Sequence, residues 1–82
     1  MTNAQISLVK DNISRISHLF SDEEVAKVFR IKTTDLSHND SKVFVHAIHS
    51  IKCWSNVTLK DSERQIYDGW VDTAKRMIKK IK

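Results

Sequence analysis

The stretch Ile6–Phe20, ISLVKDNISRISHLF, decides the fold. Ile6, Val9, Ile13, Ile16 and Phe20 recur at intervals of three, four, three and four residues. An α-helix turns through about 100° per residue, so these five side chains form one apolar seam along one side of a helix. The seam demands cover, from the rest of the chain or from a second copy. Leu8 and Leu19 lie beside it and widen the apolar face. It spans only about two heptads, short of what a coiled coil needs, so it reads as core.

The neighbouring residues set the bounds of this helix. Thr2 and Gln5 form a capping box: the hydroxyl accepts an early backbone N–H while the amide reaches back. The periodic pattern predicts a first helix over 3–19. Ser21 with Glu24 forms a second box, and Phe20 and Val25 flank it as a hydrophobic staple. Asp22, Glu23 and Glu24 place negative charge at the positive end of the helix dipole. A short second helix over 22–30 follows, with Val25, Val28 and Phe29 turned inward.

From Lys32 to Asn39 the pattern breaks. Thr33, Thr34, Asp35, Ser37, His38 and Asn39 compete for backbone hydrogen bonds, and Leu36 is expected to pin the loop to the core. Asp40 is read as the cap of a third helix over 40–54, with Val43, Phe44, Ala47, Ile48, Ile51 and Trp54 on one face. After a turn at 55–60, Thr58 or Asp61 caps a fourth helix over 61–81. Its apolar face is Ile66, Tyr67, Trp70, Val71, Ala74, Met77, Ile78 and Ile81. Its charge is ordered, with Asp61, Glu63, Asp68 and Asp72 early and Lys75, Arg76, Lys79, Lys80 and Lys82 late. That order opposes the macrodipole and sets Asp72 to pair with Arg76. Gly69, the only glycine, marks either the close approach of another helix or a soft point. The reading is an all-α fold: a compact bundle of four helices, the second short, in one domain spanning 1–82.

Composition narrows the function classes. A chain of 82 residues buries only about 60% of its unfolded surface, so its stability is marginal. Cys53 is the single cysteine, and Lys10, Asp11 and Arg15 interrupt the N-terminal stretch. Both features point to a reduced, cytoplasmic setting. No apolar run reaches membrane-spanning length. Three glycosylation-type triplets, beginning at Asn12, Asn39 and Asn56, are read as coincidence. The net charge of +4 favours acidic partners: nucleic acid, an acidic protein surface or an anionic membrane.

Four candidate sites emerge. His46, His49 and Cys53 fall on one stripe of the third helix, and imidazole and thiolate suit zinc or copper. His38 or His18 is the fourth donor on hand. No known ligand spacing is matched, so the expectation is no metal and no cofactor. The same residues suggest a Cys–His catalytic pair, but nothing supplies an oxyanion hole, so the chain is read as no enzyme.

The second candidate is a helix-turn-helix over 22–42, with Thr33 and Thr34 opening the reading helix. Arg30, Lys32, Thr33, Thr34, His38 and Lys42, joined by Lys75, Arg76, Lys79 and Lys80, would then face nucleic acid. Arg30 stands where the motif wants glycine, Asn39 where it wants an apolar residue, and Asp35 and Asp40 repel phosphate. The third is the basic end over 75–82, whose lysines also satisfy the helix dipole without any partner. The fourth is a protein-contact surface at Trp54, Tyr67, Trp70 and Arg76, residue types that dominate binding hot spots. The sequence therefore favours a small cytoplasmic binding protein, a regulator or inhibitor with a protein partner. DNA binding is the second reading, and a homodimer is allowed.

Overall fold

The computed structural model describes residues 1–81. Helix α1 runs Asn3–Arg15, α2 Asp22–Phe29, α3 His38–Trp54 and α4 Asp61–Lys79, with a 3₁₀ turn at Ser17–Leu19. No strand occurs among the described residues, and the fold is an all-α bundle. Both N-terminal capping boxes form. The Thr2 hydroxyl accepts from the Gln5 N–H at 3.1 Å, and Ser21 from Glu24 at 3.1 Å. The reciprocal bonds, from the Thr2 and Ser21 N–H groups to Gln5 and Glu24, are 2.9 Å each.

The seam of α1 is core. Val9, Ile13 and Ile16 have no exposed surface, and Phe20 is buried with them. They pack in one cluster with Val28, Ile31, Leu36, Phe44, Ala47, Ile48, Ile51, Ala74, Met77, Ile78 and Ile81. Leu36 does anchor the loop between α2 and α3. Trp70, Tyr67, Val71, Val25 and Ile6 are half-buried against this cluster.

Several boundaries and faces differ from the sequence reading. The first helix ends at Arg15, not near residue 19. Ile16 leaves helical geometry (φ −124°, ψ 21°), and the 3₁₀ turn that follows carries the chain on to the buried Phe20. The third helix starts at His38 because Ser37, not Asp40, is the cap: its hydroxyl accepts from the Asp40 N–H at 3.1 Å. Both residues can cap; capping at Ser37 lengthens α3, and each added helical residue brings a further backbone bond. The fourth helix is capped at Lys60, not Thr58 or Asp61. Lysine has no acceptor to offer, so Glu63 alone closes the end, accepting from the Lys60 N–H at 3.0 Å. Its α-helical geometry stops at Lys79, although Ile81 remains buried.

Phe29, Val43 and Ile66, expected inward, are 46%, 40% and 53% exposed. Each sits at the margin of its apolar stripe, where a helix without a further neighbour meets solvent. Trp54 is half-exposed and stands outside the core cluster. The Asp72–Arg76 pair does not form. Arg76 donates to the Thr73 hydroxyl at 3.2 Å, which itself donates to the Gly69 carbonyl at 2.9 Å. Two ion pairs occur among the described residues, Asp11–Arg15 at 3.8 Å and Asp40–Lys80 at 3.1 Å.

No helix approaches Gly69: a Cβ built there meets nothing within 4 Å. The glycine therefore costs backbone entropy with no packing in return. Gly69→Ala is expected to raise stability by about 0.5–1 kcal/mol. A urea titration checks this, and an unchanged or lower midpoint would reject it.

Candidate functional site

Helices α3 and α4 run antiparallel, which the chain's own bonds make visible. Asp40 at the start of α3 meets Lys80 just beyond α4, and His46 further along meets Trp70 earlier on α4. The His46 and Trp70 rings touch edge to face, with centroids 4.7 Å apart and planes at 78°. Val43 lies three residues before His46, and Ile66 four before Trp70, so each shares a face with its helical neighbour. The aromatic contact joins the two faces into one surface. Val43 and Ile66 give it exposed apolar area, while the half-buried Trp70 ties it to the core.

Along α4 this surface continues into an open groove of about 670 Å³. Ile66, Gly69 and Trp70 line one end and Lys75, Arg76 and Lys79 the other, with Glu24 of α2 and Asp72 also in its lining. A second groove of about 370 Å³ lies around the α3–α4 turn, lined by Leu19, Trp54, Val57, Leu59, Arg64 and Tyr67. The four residues expected to contact a partner thus fall into two pairs. Trp70 and Arg76 share the first groove, Trp54 and Tyr67 the second. Burial, reinforced by the adjacent Asp68 and opposed by Arg64, pushes the Tyr67 phenol above its ordinary value. At neutral pH it is therefore an uncharged hydroxyl able to donate a hydrogen bond. Val43, His46 and Ile66 were not among the expected contact residues. Periodicity places Val43 and Ile66 on core faces, and residue type sets His46 among the metal donors.

The three metal candidates do not converge. His46 is turned to Trp70, whereas His49 Nε2 lies 3.5 Å from Cys53 Sγ, an exposed thiol. Among the described residues no three His, Cys, Asp or Glu side chains gather as a metal would require. Protein purified without added metal is expected to carry far less than one zinc per chain by elemental analysis. A stoichiometric ion that disappears in Cys53→Ser would overturn this.

The residues considered for nucleic acid are also divided by the fold. Arg30, Lys32, Thr33, Thr34, His38 and Lys42 are all exposed. Thr33 and Thr34 open no helix, however. The Asp35 carboxylate accepts from the Lys32 N–H at 2.9 Å, and the Asp35 N–H returns to the Lys32 carbonyl at 3.1 Å. This local turn takes the backbone groups a helix would use. Residues 30–37 separate α2 from α3, far more than the short turn of a helix-turn-helix. The Asp40–Lys80 bridge does bring His38 and Lys42 to the same end of the bundle as Lys79 and Lys80. Among the described residues no helix is long and apolar enough to cross a membrane. Comparison of the chain with protein-family models, curated proteins and solved structures finds no match.

Proposed function

We propose that this chain is a small, non-catalytic, cytoplasmic binding protein that regulates or inhibits a protein partner by direct contact. The observation that carries the reading is the α3–α4 surface, where Val43 and Ile66 remain exposed on either side of the His46–Trp70 contact. Exposed apolar side chains grouped around an indole are the composition of a contact patch. Trp70 is the anchor, fixed from below by the core, and Arg76 is the polar contact beside it. Trp54 and Tyr67, in the second groove, extend the contact to a larger partner.

The test is retention from an extract of the native cells on immobilised protein, with and without nuclease, comparing wild type with Ile66→Asp. Ile66 is solvent-exposed, so the substitution leaves the core intact. A protein retained after nuclease treatment and lost with Ile66→Asp supports the proposal. Retention that vanishes with nuclease would instead favour the second reading, with the basic end, His38, Lys42, Lys79 and Lys80 as a nucleic-acid surface. Contact through such lysines alone carries no sequence information and weakens steeply with salt.

A further inference from the structure

We infer that the occupant of the α3–α4 surface is an acidic peptide segment of the partner, bearing apolar anchors at one end and carboxylates at the other. This rests on reading that surface as a contact face. Its chemistry changes along its length. Towards the middle of the bundle it is apolar, with Ile66 and the His46–Trp70 pair. Towards the end where α3 begins and α4 finishes it is basic. Lys75, Arg76 and Lys79 of α4 line it there. Asp40, the carboxylate in the first turn of α3, is neutralised by Lys80 at 3.1 Å, so it does not cancel the neighbouring cations.

The spacing defines the segment. Ile66 and Arg76 are ten residues apart on one helix, about 15 Å at the α-helical rise. An occupant therefore carries its anchors and its carboxylates about ten residues apart if helical, or four to five if extended. Glu24 and Asp72, also in the groove lining, select against the alternative polyanion. A continuous phosphate backbone would place charge along its whole length, opposite both carboxylates. A peptide places its carboxylates only where the cations are and can offer an uncharged or donor group to Asp72.

The probe is a displayed library of random 16-residue peptides selected on the folded wild-type chain, followed by titration of a selected peptide and of a random-sequence DNA duplex. The selected peptides are expected to be rich in Asp and Glu at one end and in aromatic or aliphatic residues at the other. Ile66→Glu should weaken their binding at least tenfold. The double replacement Arg76→Glu with Lys79→Glu should turn a fresh selection towards Lys and Arg. All three positions are exposed, and a melting curve for each variant confirms that the fold is retained.

Neutral or basic peptides that still depend on Ile66 would overturn the acidic occupant while leaving the contact surface standing. Binding of the duplex as tight as that of the peptides, and indifferent to Ile66→Glu, would overturn both. So would a selection that returns nothing.

Discussion

Ile13→Ala should destabilise the chain by about 2–5 kcal/mol, the range for a long aliphatic side chain truncated in a packed core. Ile13 has no exposed surface and sits mid-seam on α1, between Val9 and Ile16. Part of the loss is the transfer free energy of the deleted carbons; the remainder is the cavity, which neighbours fill only in part. Domains typically have about 0.05–0.15 kcal/mol per residue to lose, or roughly 4–12 kcal/mol for one of this length. The variant should therefore melt far below the wild type, and at the lower end of that range it would not fold at physiological temperature. Circular dichroism against temperature decides the matter. An unchanged melt would mean that α1 is not packed in solution as described, and that its seam is covered by something else.

Asn12→Leu should act in the opposite direction. Asn12 is 3% exposed beside Ile13, and its Nδ2 is the one buried side-chain nitrogen or oxygen without a hydrogen-bond partner among the described residues. Turning the amide over would only exchange an orphaned donor for an orphaned acceptor at the same sealed position. Leaving a buried polar group unsatisfied costs about 1–3 kcal/mol, whereas replacing it with an apolar group of the same shape removes that cost. Leucine has the same branching at Cγ, so its two methyl groups occupy the places of the amide atoms. A gain of this size raises the melting temperature by about 4–8 °C per kcal/mol in a domain of 60–100 residues. A lower melting temperature in Asn12→Leu would show that the amide has a partner in solution.

These two neighbours also mark what could be read from the chain. Ile13 was legible because it repeats with its companions at helical spacing. Asn12 was not, because periodicity registers only apolar residues and passes over a polar one inside the stripe. The capping boxes at Thr2 and Ser21 were legible for a local reason: donor and acceptor are three residues apart in sequence, so no distant neighbour can alter the match. The cap of α3 was ambiguous because Ser37 and Asp40 are both competent.

The contact surface was half-legible. Trp70 and Arg76 stood out by residue type. Val43 and Ile66 carry the same pattern as true core residues, and sequence spacing says which face a side chain shares but not whether another element covers it. The meeting of His46 with Trp70 links residues 24 apart in sequence, a relation that no local pattern contains.

The half-exposed state of the two tryptophans has an optical consequence. An indole in contact with water emits at longer wavelength than one shielded from it, and a nearby imidazole changes its emission yield. Trp54 and Trp70 each line a different groove, and His46 abuts only the second of them. The chain therefore carries one indole in each groove. With Trp54 replaced by phenylalanine, the emission spectrum becomes a direct readout of occupancy at the α3–α4 surface, without an added dye. With Trp70 replaced instead, it reports the groove at the α3–α4 turn, so a large partner that spans both can be told from a short peptide that fills only one.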